Sequence, residues 1–450
     1  MSSQGPIRKA AATGVASPYH DDGQVRFYLG DCREVMAGME PDSFDAIVCD
    51  PPYELGFMGK GWDKSGVAFD AATWAEVLRV AKPGAHLVAF GGTRTWHRLA
   101  CAIEDAGWEI RDTLCWMYGS GFPKSLDVSK ALDKAAGAER EDKFEGSFDR
   151  RAGPTGNRKC DTCGKWLVSG SPCKCPRPQD APQTDLAKQW DGWGTALKPA
   201  YEPIVLARKP LSGTVAANVT KWGTGGINID GTRIGINHGD DIYAKNPHTV
   251  GTIGENGIYG AGAKTLYVAP LGRWPANVVL DEEAAALLDE QTGDLASGDG
   301  HVLRRGFTTG AGMGYGSSSA GNATGVLYGD RGGASRFFYT AKASRSEREA
   351  GLEGAESVRR SDGRAKDIEN PRLRTNERKN HHPTVKPVSL MRWLCRLVTP
   401  PGGVILDPFL GSGSTAIAAK AEGFRIGGID LSAEYLEMAK RRCAQMGLIK

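Results

Sequence analysis

The 450-residue chain carries 56 Lys and Arg against 53 Asp and Glu, a formal net charge of +3, and 40% of its residues are hydrophobic. This composition is typical of a globular protein with a large core, and the length predicts a main body with insertions or two to three domains. The N-terminal residues lack the apolar core of a signal peptide, and no run approaches the roughly 20 apolar residues of a membrane-spanning helix. We therefore expect a cytoplasmic protein without a membrane partner. The mildly basic balance permits a nucleic-acid partner without indicating one.

Short apolar runs alternate with helical periodicity at both ends of the chain. In the first block, strands are predicted over 25–29, 45–49, 85–90 and 110–118, and helices over 73–82 and 94–107. In the last block, strands are predicted over 403–407 and 425–430, and helices over 388–398, 414–423 and 432–447. Because neither block has enough strands for a stable sheet of its own, we expect both to share one sheet. The predicted class is α/β, with a mostly parallel sheet covered on both faces.

The middle of the chain has a different character. Residues 125–194 are polar and contain four clustered cysteines, whereas 195–210 include an apolar strand that could rejoin the sheet. Residues 211–380 are rich in turns and end in a charged segment without apolar periodicity. We therefore divide the chain into one half of a main domain at 21–124, an insertion at 125–194, a returning strand at 195–210, an irregular region at 211–380, and the other half at 381–450.

A glycine turn follows the predicted strand that ends at Asp407. The sequence DPFLGSGST places Gly411 and Gly413 before a helix, and Asp430 ends the next predicted strand. Glycines let backbone amides approach a ligand closely beyond the strand ends, and Asp430 suits two ribose hydroxyls. Dinucleotide enzymes share this layout, but a carboxylate before the glycines would repel a pyrophosphate. It would attract the sulfonium and the α-amino group of S-adenosylmethionine.

The sequence DPPY at 50–53 is a second turn after an apolar strand. Its two prolines remove backbone donors, which leaves carbonyl oxygens exposed beside the Asp50 carboxylate. A site that accepts hydrogen bonds and offers few suits an exocyclic amine such as N6 of adenine. Asp50 and the Pro51 carbonyl would orient its nitrogen toward a methyl donor, and Tyr53 would stack on a base taken out of the duplex. A rigid surface turn is the alternative interpretation.

Taken together, the two turns resemble the beta-class amino DNA methyltransferases, in which a DPPY block precedes a target-recognition region and the cofactor block comes last. The motif resemblance covers roughly residues 25–124 and 381–430, including LGDCREVM, GSGFPKS, KPAYEPIVLARKP, WGTGGINID and HPTVKP. It implies a class I S-adenosylmethionine-dependent methyltransferase fold (Rossmann-like, permuted), a flipped base in double-stranded DNA as the substrate, and a homodimer. GSGST where many members have GSGTT, and Asp430 where Glu is frequent, are mild departures.

The resemblance also assigns roles to individual residues. It implies that Asp31 approaches the cofactor adenine and that Thr384 and Lys386 lie near the methionine carboxylate. The predicted catalytic residues are Asp50, Pro51, Pro52 and Tyr53. The predicted cofactor-binding residues are Asp31, Thr384, Lys386, Asp407, Phe409, Gly411, Ser412, Gly413 and Asp430.

Several functions remain compatible with these motifs. DPPY rather than SPPY favours adenine N6 over cytosine N4, but only as a tendency. Methylation of RNA or of a protein amide is a further alternative, because other enzymes reuse such turns. A zinc-containing DNA-binding protein with a decayed active site is another, against which the intact motifs argue.

The four clustered cysteines form a predicted metal site. Cys160, Cys163, Cys173 and Cys175 follow a CxxC, nine residues, CxC spacing, which fits a structural tetrahedral zinc ion. The second pair is tighter than the usual CxxC, so unpaired thiols or a disulfide remain alternatives. We assign the cluster no catalytic role.

Overall fold

The computed structural model describes most of the chain, in two compact units. The described residues are 17–55, 65–121, 125–140, 158–159, 166–167, 181–235, 272–296, 331–341, 345–354, 357–359, 377–380, 382 and 385–445. The first unit comprises Met1–Gly119 and Tyr201–Lys450, and the second comprises Ser120–Ala200. Among the described residues, no helix combines the length and the apolarity that crossing a membrane requires.

A ten-stranded sheet forms the centre of the first unit. Its strands are β1 (His20–Asp21), β2 (Val25–Leu29), β3 (Phe44–Cys49), β4 (Ala81–Phe90), β5 (Glu109–Met117), β8 (Tyr201–Arg208), β9 (Val278–Asp281), β12 (Tyr339–Ala341), β15 (Val404–Asp407) and β16 (Arg425–Asp430). The shorter strands, which form three antiparallel pairs outside this sheet, are β6 (Arg158–Lys159) with β7 (Trp166–Leu167), β10 (Leu295–Ala296) with β11 (Arg331–Gly332), and β13 (Val358–Arg359) with β14 (Glu377–Arg378).

The strand order of the sheet is β1-β2-β16-β15-β3-β4-β8-β5-β9-β12. Strands β2, β16, β15, β3 and β4 are mutually parallel, whereas β8 runs antiparallel between β4 and β5, and β1 runs antiparallel beside β2. Leu406 pairs with Ile47, so the C-terminal block lies in register beside the N-terminal one. The prediction that both blocks share one mostly parallel sheet is confirmed, as is the α/β class with the permuted methyltransferase order.

Helices and short 3-10 turns connect these strands. The α-helices are α1 (Cys32–Ala37), α2 (Ala71–Val80), α3 (Trp96–Asp105), α4 (Val128–Ala135), α5 (Asp185–Gln189), α6 (Val215–Trp222), α7 (Glu282–Thr292), α8 (Arg345–Glu349), α9 (Val388–Val398), α10 (Ser414–Ala421) and α11 (Ala433–Gln445). The 3-10 turns are Val67–Phe69, Asp230–Thr232 and Ala334–Phe337. The last helix begins after a capping serine. The amide of Tyr435 donates to Ser432 Oγ at 3.3 Å, as in an N-cap.

Two apolar layers cover the faces of the sheet. Alternate strand residues point to opposite faces, so Val48 contributes to one cluster and Ile47 to the other. The first layer buries α9 and α10, where Trp393 and Leu394 lie among the fully enclosed side chains. The second buries α2 and α3 through Trp74 and Ile103. Burial on both faces explains why the central strands read as continuous apolar runs.

The region at 211–380 contributes more to the sheet than its irregular sequence predicts. Strand β9 pairs in parallel with β5, and β12 pairs in parallel with β9, so the two extend the sheet beyond β5. Both strands are short, at four and three residues, which is too little for periodicity to identify. The glycine-rich stretch at 306–325, predicted to be a flexible loop, lies outside the described residues.

The second unit is organised around the buried Asp133 of α4. Its carboxylate accepts hydrogen bonds from the amides of Gln183 and Thr184, both at 3.0 Å, and from the Thr184 hydroxyl at 2.9 Å. Arg140 Nε donates to it at 2.7 Å. These contacts join the two longest described segments of this unit, 125–140 and 181–200.

Candidate active site

Four adjacent parallel strands end at the same edge of the sheet, and each delivers a carboxylate there. Asp430 and Asp407 are the last residues of β16 and β15, Asp50 follows β3, and Asp31 lies two positions after β2. The amide of Gly30 donates to the Asp430 carbonyl at 3.0 Å, which joins the ends of β2 and β16. The predicted residues Asp31, Asp50, Asp407 and Asp430 therefore share one edge, as carboxyl ends of parallel strands must.

Asp50 belongs to a compact cluster of polar side chains. The Lys386 ammonium lies 2.9 Å from Asp50 Oδ2 and 3.1 Å from Glu202 Oε2. It also donates to the Tyr53 hydroxyl at 3.0 Å, and that hydroxyl donates to Glu202 Oε2 at 2.8 Å. The Lys386 ammonium further lies over the rings of Tyr53 and Phe90, 5.2 and 4.8 Å from their centroids. One cation thus contacts two carboxylates, a phenol and two aromatic faces.

The second oxygen of Asp50 has a different environment. Oδ1 is buried and has no hydrogen-bond partner among the described residues. Burial raises the pKa of Asp50 and the charge of Glu202 raises it further, whereas Lys386 and the Tyr53 hydroxyl lower it. A buried acceptor without a partner costs free energy until a donor arrives. Oδ1 is therefore an acceptor available to a ligand.

The backbone around Tyr53 is held in place by neighbouring elements. The Thr95 hydroxyl donates to the Tyr53 carbonyl at 2.9 Å, and a side chain at Gly92 would lie 3.1 Å from the Tyr53 ring. Glu54, the next residue, has a left-handed φ of 54°, which residues other than glycine rarely adopt. The contacts with Thr95 and Gly92 and the left-handed backbone at Glu54 thus fix the DPPY turn, in which Pro51 is buried.

Glu202 was not predicted as a site residue. It lies near the beginning of β8, and because β8 runs antiparallel to β4, its first residues meet the carboxyl ends of the parallel strands. Phe90 pairs with Ile204, so Glu202 lies just beyond the end of β4. A usable signal was its acidic side chain at the start of an otherwise apolar strand, but only the strand direction places it at this edge.

Lys386 also lies in an unpredicted environment. The resemblance implied a position near the methionine carboxylate of the cofactor, whereas its ammonium contacts Asp50, Glu202 and Tyr53. Lys386 is 5% exposed, and the two carboxylates raise its pKa against the effect of burial. Lys386 lies two residues before α9, which begins at Val388, so its side chain reaches Asp50 from the C-terminal half of the main domain.

The glycine turn is closed by the two aspartates on either side of it. Asp430 Oδ2 accepts from the Gly411 amide and Oδ1 from the Ser432 amide, both at 2.8 Å. Asp407 Oδ1 accepts from the Phe409 amide at 3.0 Å. Burial raises the pKa of Asp407 to about 7, opposed by hydrogen bonds from Thr415 and Phe409 and assisted by the charges of Asp50 and Asp430. Burial likewise raises the pKa of Asp430.

Both glycines have left-handed backbones and close neighbours. Gly411 has a φ of 53°, and a side chain there would lie 2.7 Å from His382 Nε2. The His382 ring in turn packs edge-on against Tyr435, with centroids 4.6 Å apart. Gly413 has a φ of 79°, and its side chain would lie 2.7 Å from the Cβ of Ala439. The glycines are therefore required by packing as well as by any ligand.

Three other predicted cofactor residues have clear partners in the chain. Ser412 is buried, and Arg442 Nη1 donates to its carbonyl at 2.6 Å and to its hydroxyl at 3.1 Å. Asp31 caps α1 by accepting from the Arg33 amide at 2.9 Å and pairs with the Arg33 guanidinium at 3.0 Å. The Phe409 ring packs against Trp74, with centroids 6.2 Å apart.

Some predicted residues lie outside the described part of the chain. Thr384 is one, and the others are Cys160, Cys163, Cys173 and Cys175. Within the described residues, no group of three or more His, Cys, Asp or Glu side chains is arranged to hold a metal ion. The other six cysteines are free thiols, and these are Cys32, Cys49, Cys101, Cys115, Cys395 and Cys443.

This edge of the sheet is suited to a cationic ligand beside an amine. Four strand-end carboxylates and Glu202 lie at this edge, where Lys386 contacts Asp50 and Glu202 and Arg33 contacts Asp31, so the negative charge exceeds the positive. A buried carboxyl with a pKa near 7, such as Asp407, is stabilised in its charged form by a nearby cation. S-adenosylmethionine carries both a sulfonium and an ammonium, so the residues present fit this cofactor.

The sequence matches a family model described as DNA methylase, for N6 and N4 methyltransferases, at residues 44–152 and 317–441. It is 48% identical over 61 residues to the type II methyltransferase M2.DpnII of Streptococcus pneumoniae, covering 14% of this chain and 23% of that protein. It is 40% identical over 62 residues to the DNA adenine methyltransferase YhdJ of Escherichia coli K12, covering 14% and 21%. The chain thus spans less than a quarter of the length of these two curated relatives.

Among solved structures, the chain matches that of the PvuII DNA methyltransferase, described as cytosine-N4-specific. Its sequence is 11% identical, the match covers 94% of this chain and 88% of that one, and the TM-score is 0.40. The family model is more informative, because its two segments contain both predicted turns and together span more than half of the chain. On this evidence the chain belongs to the N6/N4 family of DNA methylases.

Proposed function

We propose that this protein transfers a methyl group from S-adenosylmethionine to the N6 amine of an adenine flipped out of duplex DNA. The observation that carries the proposal is the buried Asp50 Oδ1, which has no hydrogen-bond partner among the described residues. It lies beside Lys386, at the end of the strand that pairs with the strand leading into the glycine turn.

An exocyclic amine satisfies this oxygen because it presents two N–H donors. Asp50 Oδ1 would accept one hydrogen bond from the amine while Lys386 holds Oδ2. The amine would gain positive charge as its nitrogen displaces the neutral thioether from the methyl carbon, and the carboxylate would stabilise that charge until the surplus N–H proton leaves to Asp50 or to solvent. Tyr53 would stack on the base, with its ring held by the hydrogen bond that its hydroxyl donates to Glu202 and the one it accepts from Lys386.

The cofactor would lie along the glycine turn. Asp407 would face its cationic groups, and the fixed backbone at Gly411 and Gly413 would allow close approach. Each Asp430 oxygen accepts one backbone amide and can accept a further hydrogen bond. Asp430 would therefore accept hydrogen bonds from the ribose hydroxyls. S-adenosylmethionine supplies a methyl group on a sulfonium, so the chain has to provide only placement and electrostatic stabilisation.

Adenine is the proposed target because of Asp50. DPPY rather than SPPY favours adenine N6, and YhdJ is named a DNA adenine methyltransferase. PvuII is named cytosine-N4-specific, so cytosine N4 is the competing target. Digestion of methylated DNA and chromatography of the nucleosides separates the two: N6-methyladenine supports our proposal, and N4-methylcytosine refutes the adenine assignment.

The substrate class is tested by tritium transfer. The purified chain is incubated with tritium-labelled S-adenosylmethionine and, in parallel, with mixed-sequence duplex DNA, RNA or a protein extract. We expect label in duplex DNA only. Label confined to RNA or to protein would overturn the proposal, and no transfer to any of the three would favour a DNA-binding protein that lacks activity.

Two further features belong to the proposal. We propose a structural zinc ion on Cys160, Cys163, Cys173 and Cys175, supported by their spacing. Strands β6 and β7 pair antiparallel on either side of the first two cysteines, which suits a metal-binding hairpin. Metal analysis of the purified protein should give one zinc per chain, and less than half an equivalent would refute the zinc proposal.

We also propose a homodimer, by family resemblance. Sedimentation of the purified protein measures its oligomeric state.

A further inference from the structure

Glu202 is the member of the Asp50 cluster that strand β8 supplies. Its Oε2 accepts from the Tyr53 hydroxyl at 2.8 Å and lies 3.1 Å from the Lys386 ammonium. Both partners lie in the proposed methyl-transfer site, and Lys386 is within 2.9 Å of Asp50 Oδ2. Glu202 therefore lies next to the reacting groups and acts on Asp50 through Lys386.

The charges of the cluster explain why a second carboxylate is needed. Lys386 alone would neutralise Asp50 and weaken it as a partner for an amine that becomes positive. With Glu202 also ionised, the three side chains carry one net negative charge in a buried setting, where charges interact strongly. Glu202 thus allows Lys386 to orient Asp50 without cancelling its charge.

Glu202 also fixes the Tyr53 ring. The Tyr53 hydroxyl is held by one acceptor and one donor, Glu202 and Lys386, while Thr95 holds the Tyr53 carbonyl. A ring fixed at both its backbone and its hydroxyl has lost its rotational freedom before a base arrives. This preorganisation lowers the entropy cost of stacking.

We propose that Glu202 is a positioning residue for methyl transfer: it holds Tyr53 and Lys386, and its charge offsets that of Lys386 so that Asp50 retains a net negative charge for the target amine. This inference rests on the proposed function. It predicts that the charge of Glu202, separated from its hydrogen bonds, affects the rate of the chemical step rather than the binding of DNA or cofactor.

Charge is separated from hydrogen bonding by Glu202→Gln, which can still accept from Tyr53 and Lys386. We expect kcat at saturating cofactor to fall by about tenfold to a hundredfold, the effect of one charge nearby at an effective dielectric constant of about 20. KM for DNA and Kd for S-adenosylmethionine should change by less than about threefold, as for a group that acts in the transition state. The control is Glu109→Gln, whose carboxylate pairs with Arg208 at 2.6 Å at the opposite edge of the same sheet.

A double-variant cycle tests the charge balance directly. Glu202→Gln leaves the cluster neutral, Lys386→Gln leaves it with two negative charges, and the pair together restores one. We expect the double variant to lose less kcat than the product of the two single losses. Losses that multiply, or a double variant that loses more than the product of the two single losses, would overturn the proposal.

The pH profile provides a readout that a purely structural role would not change. The titratable and charged groups around Asp50 are Lys386, Glu202, Tyr53, Asp407 and Cys49. Glu202 raises the pKa of Asp50, so Glu202→Gln should shift the acid limb of kcat to lower pH. A wild-type kcat and an unshifted limb in Glu202→Gln would refute this inference alone, whereas a wild-type protein that methylates no DNA would refute the proposed function.

Discussion

The Lys386 ammonium lies 2.9 Å from Asp50 Oδ2 and so connects the segment that leads into helix α9 to the first residue of the DPPY turn. This contact joins the two halves of the chain at the point where the sheet delivers its carboxylates. The turns at 50–53 and 407–415 extend from neighbouring strands, since Leu406 pairs with Ile47. Their roles can therefore be separated by changing one turn at a time.

Substitutions in the two turns should have opposite effects. Asp50→Ala removes the proposed acceptor for the amine, so methyl transfer should fall by about 100-fold to 1000-fold while cofactor affinity changes little. Gly411→Trp introduces a side chain where even a Cβ would lie 2.7 Å from His382, so cofactor binding should be lost. Tritium transfer and titration calorimetry measure the two effects.

The matched control for bulk is Gly423→Trp, because Gly423 is also left-handed but a Cβ there would meet no atom within 4 Å. It should retain both properties. Equal loss of cofactor affinity in Asp50→Ala and Gly411→Trp would contradict the division of roles between the turns.

Cofactor affinity should rise with pH through the titration of Asp407. Because burial raises the pKa of Asp407 to about 7, the carboxyl is largely protonated at pH 6 and must ionise to face a cation. One pH unit below the pKa, affinity should be reduced by roughly tenfold. Titrations of S-adenosylmethionine between pH 6 and 8 measure this, and Asp407→Asn should flatten the profile. The exposed Asp191→Asn is the control, which should leave the slope unchanged.

The stability of the ligand-free protein should change in the opposite direction. The folded pKa of Asp407 is about 7 and the unfolded value is about 3.9. The folded state therefore binds the proton more tightly, so this contribution is fully present below about pH 4 and is lost as pH rises through about 7. Asp407→Asn should gain stability relative to wild type between pH 5 and 8 in urea unfolding. A constant difference across that range would exclude the raised pKa.

Gly413→Ala should destabilise the fold more than Gly423→Ala. Both positions have a φ of 79°, so alanine at either one would adopt a left-handed backbone, which costs about 1–2 kcal/mol of stability. Only at Gly413 would the new methyl group also lie 2.7 Å from Ala439, and such overpacking costs about 1–3 kcal/mol more. Urea unfolding of the two variants gives the difference directly. Equal free energies of unfolding would show that α11 moves away from the new methyl group without loss of stability.

Asp133→Ala should loosen the second compact unit. Asp133 accepts from Arg140, Gln183 and Thr184, and these hydrogen bonds lower its pKa although burial opposes them. Its contribution is therefore present above about pH 4 and is lost as pH falls through the lowered folded pKa. Limited proteolysis should cleave the variant near 181–190 sooner than wild type. Asp185→Asn, whose side chain is fully exposed, is the control.

The sequence predicts regular elements well where the apolar pattern is long. The strands Val25–Leu29 and Arg425–Asp430 and the helix Val388–Val398 begin and end at the predicted residues. The returning strand at 195–210 is Tyr201–Arg208, and it rejoins the sheet as predicted. Local chemistry alone determines such segments, because burial of one face or of both leaves a periodic pattern.

Site residues that depend on strand direction could not be predicted in this way. The sequence shows Glu202 beside a proline at the start of a strand, but its contact with Lys386 follows from the antiparallel direction of β8. The requirement for Gly413 is likewise a contact with Ala439, far along the chain. Motifs predict which residues carry the chemistry, and tertiary packing decides which others reach them.

The position of β15 and β16 between β2 and β3 affects how the chain is synthesised. Strand β3 gains its neighbour on one side only once residues 404–407 have left the ribosome. Until then, the backbone edge of β2 that pairs with β16 and the edge of β3 that pairs with β15 lack hydrogen-bond partners. Such unpaired edges favour aggregation. A nascent chain of this protein should therefore depend on chaperones until the last strands have emerged, and its sheet should close late.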